Sequence, residues 1–153
     1  MTFRFYPVNS WVCSAHGSAG PDGRRARGGF AMDWGLVILC LIMVESGGNN
    51  AAVGDSGRAL GCLQIHAGVV YDVNRIYGTS FKHEDAKDRQ KSVQICQLYL
   101  RHYCHDYERR TKKPATPEIA ARIWNGGPIG FRKSATDKYW ALVKEAMAAQ
   151  KKG

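Results

Sequence analysis

Glu45 and Asp55 are the two acidic residues whose surroundings best suit chemistry. Glu45 follows the apolar run Gly35–Val44 and precedes Ser46 and two glycines, and Asp55 lies ten residues further on in a glycine-rich stretch. Burial against an apolar wall raises the pKa of a carboxyl group, which can then donate a proton at neutral pH. A second, ionised carboxylate across a cleft would complete the minimum apparatus for hydrolysing a glycosidic bond.

Both acids also have ordinary structural interpretations. A glutamate at the end of a helix usually points into solvent, and an aspartate before Ser56 and Gly57 is typical of a turn. The apolar helix behind Glu45, the glycines after it and the polar and aromatic residues downstream favour the catalytic interpretation.

The elements that must position these residues are mostly helical. Asp33–Ser46 is apolar on most faces, which predicts a buried helix that Gly47 and Gly48 end. Residues 49–68 are turn-rich and predict an irregular strand or hairpin. Glu84–Arg110 predicts a long amphipathic helix. Its apolar face consists of Val93, Cys96, Leu100, Tyr103, Cys104 and Tyr107.

Two shorter helices are predicted after the linker Thr111–Pro117. Thr116 is the expected N-cap, with Pro117 and Glu118 in the first turn, of a helix that continues through Trp124 and ends at Asn125–Pro128. Thr136 and Asp137 are expected to cap the last helix. One face of that helix consists of Tyr139, Leu142, Val143 and Met147.

The 153 residues suit one domain, residues 32–150, preceded by a poorly ordered basic tail over residues 1–31. The tail shows neither helical nor strand periodicity. An export signal is one interpretation of the apolar run Gly35–Val44, because the basic residues Arg24, Arg25 and Arg27 precede it. The alternative interpretation of the same run is a buried core helix. The net charge of +9 predicts attraction to a polyanion, namely nucleic acid, anionic lipid or an anionic cell-wall polymer.

Neither the cysteines nor any known cofactor motif implies a metal or a cofactor. Five cysteines allow at most two disulfides, and no Cys-x-x-Cys pair predicts a zinc site. Cys96 and Cys104 are about two turns apart on one predicted helix, too far to pair with each other, so the cysteines are interpreted as buried thiols or partners of distant cysteines. The sequence contains no phosphate-binding glycine loop, His-Glu-x-x-His or Gly-x-Ser-x-Gly.

Four segments resemble the invertebrate-type (destabilase) lysozyme family, within the wider lysozyme-like superfamily. In order they are "ESGGN", "GDSGRALGCLQI", "QICQLYLRHY" and "ARIWNGGPIGFRKSATDKYWALV". The combination of Glu-Ser and Leu-Gln-Ile is also similar to goose-type lysozymes and to the transglycosylase domain that cleaves bacterial peptidoglycan. The similarity covers about residues 36–146, and the cysteine pattern is more similar to a bacterial or phage relative than to a secreted animal enzyme.

The resemblance implies an α+β lysozyme-like fold, predominantly helical with a small irregular β-ribbon. It implies Glu45 as general acid, Asp55 as nucleophile or stabiliser of the oxocarbenium-like centre, and Gly61–Ile65 as a strand lining the cleft. The expected substrate-binding residues are Ser46, Gln64, Ile65, His66, Asn125, Gly126, Gly127 and Tyr139. For Trp124, Tyr139 and Trp140 the alternative is a place in the core. For Gln64, contact with a sugar amide or with Glu45 stands against a structural role.

Some positions depart from the family pattern. Val69 and Val70 stand where the family usually has Tyr-Trp, so a platform for a sugar is weakened, and Trp124 stands where a histidine is common. The chain has fewer cysteines than the disulfide-rich family. The interval between Glu45 and Asp55 is slightly shorter than usual, which weakens the assignment of Asp55 more than that of Glu45.

The leading functional hypothesis is a monomeric muramidase that cleaves the β-1,4 bond between N-acetylmuramic acid and N-acetylglucosamine and acts outside the cytoplasm, where its substrate lies. Its partners would be peptidoglycan or a related N-acetylated glycan and the anionic cell-wall surface. One alternative is a lytic transglycosylase that uses Glu45 alone, and another is a wall-binding module without activity. A nucleic-acid binder rests on charge alone, because no recognition-helix, RNP or zinc pattern is present.

Overall fold

The computed structural model describes residues 32–151. The predicted tail, Cys13 and the arginines of the candidate export signal lie outside the described residues. Five α-helices in the described part are α1 (Trp34–Ser46), α2 (Ala67–Tyr77), α3 (Arg89–Thr111), α4 (Pro117–Gly126) and α5 (Asp137–Gln150). Three short strands form one antiparallel sheet in the order β1 (Val53–Gly54), β2 (Ala59–Leu60) and β3 (Ile65–His66). The predicted class, mainly helical with a small β-ribbon, is confirmed.

Helix α1 forms the centre of the core, as its apolar sequence predicts. The side chain of Asp33 accepts a hydrogen bond from the Leu36 N–H, and Gly47, with φ of 63°, ends the helix by donating to the Met43 carbonyl. The helix packs against α3, α4 and α5. Its buried residues are Val37, Ile38, Cys40, Leu41 and Ile42. The export-signal run Gly35–Val44 is therefore part of the folded domain.

The predicted irregular hairpin is present between α1 and α2. In its register Val53 pairs with Leu60, and Leu60 pairs with Ile65. The Ser46 hydroxyl donates to the Cys62 carbonyl over 2.9 Å and accepts from the Gly48 N–H. This pair of bonds joins the end of α1 to the ribbon, so the two elements that carry Glu45 and Asp55 have a fixed relation.

Two helices differ from the sequence predictions. Helix α2 was not predicted, because its valines and isoleucine favour strands locally, whereas packing against α3 stabilises a helix there. The long helix begins at Arg89 and not at Glu84. Asp88 is extended, with ψ of 121°, and its side chain caps α3 by accepting from the Lys91 N–H. The preceding residues His83–Lys87 form a separate 3-10 turn.

The caps predicted for α4 are confirmed, and Thr136 and Asp137 stand at the start of α5 as predicted, Thr136 at the N-cap position. Thr116 accepts from the Ile119 N–H, with Pro117 in the first turn. Thr136 makes no side-chain capping bond to α5, because its hydroxyl is buried in contacts with the preceding loop. Asn125 and Gly126 belong to the last turn of α4, which ends two residues after Trp124, the last helical residue predicted. Leu142 is 53% exposed and not part of a buried face.

The four described cysteines, Cys40, Cys62, Cys96 and Cys104, are free and buried, as the buried-thiol interpretation predicts. Cys62 Sγ lies 3.7 Å from the Ser92 hydroxyl on α3. Within residues 32–151 no helix combines the length and hydropathy that crossing a membrane requires.

Gly61 and Gly57 offer a matched test of packing in the ribbon. Both have positive φ, but a Cβ on Gly61 would lie 1.7 Å from the Ala86 carbonyl oxygen, whereas a Cβ on Gly57 would meet nothing within 4 Å. We expect Gly61→Ala to lower the free energy of unfolding by about 2–5 kcal/mol, because strain and overpacking add. Gly57→Ala should cost about 1 kcal/mol. Urea denaturation of both variants measures the difference, and equal losses would contradict the close packing of Gly61.

Candidate active site

A cavity of about 280 Å³ opens between the end of α1, the β-ribbon, the start of α2 and the end of α4. Its lining residues are Glu45, Asp55, Ala59, Gln64, His66, Val69, Trp124 and Asn125. Five of the predicted site residues therefore share one cavity, and both candidate catalytic carboxyl groups are among them.

Glu45 lies in the last turn of α1 and is partly buried. The Tyr139 hydroxyl on α5 donates a 2.7 Å hydrogen bond to Glu45 Oε1. Burial raises the pKa of the Glu45 carboxyl above its usual range, against hydrogen bonds from Tyr139 and Trp124 that lower it. The net direction favours the protonated acid, which is the form that donates a proton.

Tyr139 and Cys96 remain protonated beside Glu45. Burial, followed by the negative charge of Glu45, raises the pKa of the Tyr139 hydroxyl far above the neutral range. Burial and the same charge also raise the pKa of the Cys96 thiol on α3. Neither group therefore brings a second negative charge to the site near pH 7, and Tyr139 acts there as a hydrogen-bond donor.

Asp55 begins a 3-10 turn with φ of 46° and faces the cavity from the ribbon. Arg58 Nη2 lies 2.6 Å from Asp55 Oδ1, and His66 Nε2 lies 3.6 Å from Oδ2. The Asp55 side chain is 45% exposed, much less sequestered than Glu45. The two carboxyl groups thus occupy different environments: Glu45 is partly buried with neutral donors, and Asp55 is open beside the Arg58 guanidinium and the His66 ring.

Gln64 has a mainly structural set of contacts, which was one of its two predicted roles. Its φ is 48°, and its side-chain amide donates to the Gly61 carbonyl over 3.0 Å. A Cβ on Gly54 would lie 2.1 Å from Gln64 Oε1, so the glycine allows this close approach across the ribbon. The amide still lines the cavity, but none of its hydrogen bonds reaches Glu45.

The other predicted binding residues divide into two groups. His66 and Asn125 line the cavity. Ser46, Ile65, Gly126, Gly127 and Tyr139 are not among its lining residues. Ile65 is fully buried, and its carbonyl contacts the His83 ring over 2.7 Å. Tyr139 reaches the site through Glu45 and not through the cavity surface.

Trp124 lies in the site, although it was not among the expected substrate-binding residues and a place in the core was an alternative for it. Its ring lines the cavity, and its indole forms a hydrogen bond with Glu45. Tyr99 packs edge-on against it, with ring centroids 5.8 Å apart. Its position directly before Asn125 and Gly126 was the available signal. Val69, which stands where the family pattern has an aromatic residue, also lines the cavity.

Within residues 32–151 no group of three or more His, Cys, Asp or Glu side chains is arranged to hold a metal ion. The chemistry that this arrangement allows is proton transfer from Glu45 to a bound group, with Asp55 as a charge across the cavity.

The raised pKa of Glu45 predicts how its replacement changes stability with pH. Below the pKa of the unfolded chain Glu45 is protonated in both states and contributes no pH dependence. As the pH rises from there through the higher folded-state pKa, the unfolded state loses its proton more readily and the folded state loses stability. Glu45→Gln should therefore gain stability relative to the wild type between acidic and neutral pH.

Chemical denaturation across that pH range measures this gain. Glu84→Gln is the control, because Glu84 is 72% exposed and pairs with Lys87 on the surface. A Glu45→Gln difference that stays constant with pH, or that follows the Glu84→Gln control, would contradict the burial of the Glu45 carboxyl.

The site and fold can be compared with known proteins. One similar chain comes from the crystal structure of Aeromonas hydrophila PliI in complex with Meretrix lusoria lysozyme, with 28% sequence identity and a TM-score of 0.54. The match covers 72% of this chain and 87% of that chain. No curated protein matches the sequence significantly. The family model for the transglycosylase SLT domain matches residues 27–141. The chain therefore belongs to the transglycosylase SLT domain family, within the lysozyme-like superfamily.

Proposed function

We propose that this protein is a muramidase that cleaves the β-1,4 bond between N-acetylmuramic acid and N-acetylglucosamine, with Glu45 as the proton donor. Its family implies a lysozyme-like glycosidase or lytic transglycosylase that acts on peptidoglycan. The observation that carries the finer proposal is the setting of the Glu45 carboxyl. It is partly buried at the wall of a cavity that Asp55 also lines, and burial raises its pKa.

Glu45 supplies the proton that the leaving sugar requires. Its hydrogen bond from Tyr139 occupies Oε1, so the other carboxyl oxygen carries the transferable proton. Protonation of the glycosidic oxygen breaks the bond to the anomeric carbon and leaves Glu45 ionised. The Tyr139 and Trp124 donors stabilise that carboxylate, which then removes a proton from the attacking water and returns to its starting form.

Asp55 stabilises the oxocarbenium-like centre, or attacks it to form a covalent intermediate, in this mechanism. Support comes from its place in the same cavity as Glu45 and from its 2.6 Å ion pair with Arg58. Water then completes a hydrolysis that retains the anomeric configuration.

A lytic transglycosylase is the second candidate, and the family description favours it. Here Glu45 acts alone as acid and then as base, and the sugar's own C6 hydroxyl replaces water to form a 1,6-anhydro product. The exposure of Asp55 also favours this candidate, because solvent screens a charge that has to stabilise the oxocarbenium-like centre.

The motif order supports a narrower affiliation with invertebrate-type lysozymes, in a bacterial or phage relative. The net charge of +9 supports binding to the anionic cell wall, because long-range attraction raises the local concentration of the enzyme at its substrate. A monomeric enzyme acting in a secreted or periplasmic setting is part of the same proposal.

Cell-wall zymograms and product analysis test the proposal with matched variants. We expect Glu45→Gln to reduce lysis about a hundredfold or more, as for removal of a general acid, while the surface control Glu84→Gln keeps wild-type activity. Asp55→Asn should reduce lysis by a similar factor in a muramidase and by little in a transglycosylase. A reducing muramic acid end marks hydrolysis, and a 1,6-anhydro end marks the transglycosylase.

The zymogram also separates an enzyme from a wall-binding module. If the wild type clears no peptidoglycan, or if Glu45→Gln clears it as well as the wild type, the proposed activity is wrong. If the activity is rejected, sedimentation with insoluble cell wall tests whether the protein is a wall-binding module. A binding module would sediment with the wall both as wild type and as Glu45→Gln.

A further inference from the structure

The side chain of Arg122 on α4 contacts both the loop that follows α4 and the start of α5. Its side chain is only 16% exposed. The guanidinium donates to the Thr136 hydroxyl over 2.9 Å, to the Lys133 carbonyl over 3.1 Å and to Glu118 over 3.0 Å. It also lies 2.8 Å from Asp137 Oδ1, at the start of α5. One side chain therefore binds four groups on both sides of the α4–α5 connection.

The connection is packed closely enough for this contact to fix its position. Thr136 is 1% exposed, and its hydroxyl contacts the Gly130 and Lys133 carbonyls in addition to Arg122. A Cβ on Gly130 would lie 1.9 Å from the Arg122 carbonyl oxygen. The loop therefore lies directly against α4 and has little room to shift.

The two hydrogen-bond donors to Glu45 come from the two helices that Arg122 joins. Tyr139 lies two residues after Asp137 on α5, and Trp124 lies two residues after Arg122 on α4. A displacement at the start of α5 moves the Tyr139 hydroxyl, whose 2.7 Å bond to Glu45 leaves little tolerance.

We propose that Arg122 is a positioning residue, which holds the Tyr139 hydroxyl on Glu45 by fixing the start of α5 against α4. Its catalytic consequence rests on the proposed function, whereas its structural consequence at Glu45 does not. Arginine suits this position because its planar guanidinium offers five donors in fixed directions. A lysine carries the same charge on one flexible nitrogen and cannot reproduce the four contacts.

The protonation of Glu45 reports on this arrangement. The groups that face it are Tyr139 from α5, Trp124 from α4, Cys96 from α3, and Asp55 and His66 across the cavity. Of these, the Tyr139 hydrogen bond stabilises the ionised form most directly. Loss of that bond therefore raises the pKa of Glu45, and Tyr139→Phe defines the size of the rise.

The test uses Arg122→Lys and Asp137→Asn, which keep side-chain size close to the original, alongside Arg122→Met. Carbon-13 NMR titration of Glu45 in the full chain should show a raised pKa in each variant that folds, in the direction set by Tyr139→Phe. In lysis assays kcat should fall about tenfold with little change in KM, because a small misplacement at a catalytic group is costly. Arg132→Met is the control, since Arg132 is an exposed residue of the same connection that stacks on Phe131.

A double-mutant comparison decides whether Arg122 acts through Tyr139. In a Tyr139→Phe background the Arg122 and Asp137 substitutions should leave the Glu45 pKa and kcat unchanged. An unchanged Glu45 pKa in Arg122→Lys and Asp137→Asn, or equal shifts with and without Tyr139, would overturn the inference. The NMR measurement needs no substrate, so an inactive wild type would reject the proposed function and still leave Arg122 to be judged by the titration.

Discussion

The structure depends on one unfavourable placement, a carboxyl group at the end of the most apolar helix. Burial raises the pKa of Glu45, and its position at the carboxyl end of α1 acts in the same direction, because the unpaired carbonyls there carry partial negative charge. An isolated carboxylate in such a place would be costly. The Tyr139 and Trp124 donors reduce that cost without removing it, so the group remains an acid with a raised pKa.

The surrounding elements follow from this placement. Helix α1 is apolar on nearly all sides, so it needs α3, α4 and α5 around it. The same helices bring the two donors and the Cys96 thiol next to Glu45. The ribbon is joined to the end of α1 by Ser46 and Cys62, which places Asp55 and His66 opposite the acid. The core and the site are therefore built from the same contacts.

The sequence predicted the features that depend on neighbouring residues. The apolar character of α1, its glycine end and the N-cap of α4 are local, and Glu45 was proposed as the acid from its immediate surroundings. The features that were missed depend on distant partners. The β-branched residues of α2 favour a strand until α3 packs against them. Thr136 is the N-cap of α5, but its hydroxyl bonds to the preceding loop and to Arg122 and not to the first turn of the helix. The place of Trp124 in the site appears only when α1 lies beside it.

The bond between Tyr139 and Glu45 spans 94 residues of the chain. Until α5 docks, Glu45 lacks the hydrogen-bond donor that orients it and part of the wall that excludes water. During synthesis the ribosome would release the helix that carries Glu45 long before the helix that completes its environment. The hydrogen-bonded setting of Glu45 is therefore complete only when α5 is in place, and a nascent or truncated chain without α5 carries the residue without that setting.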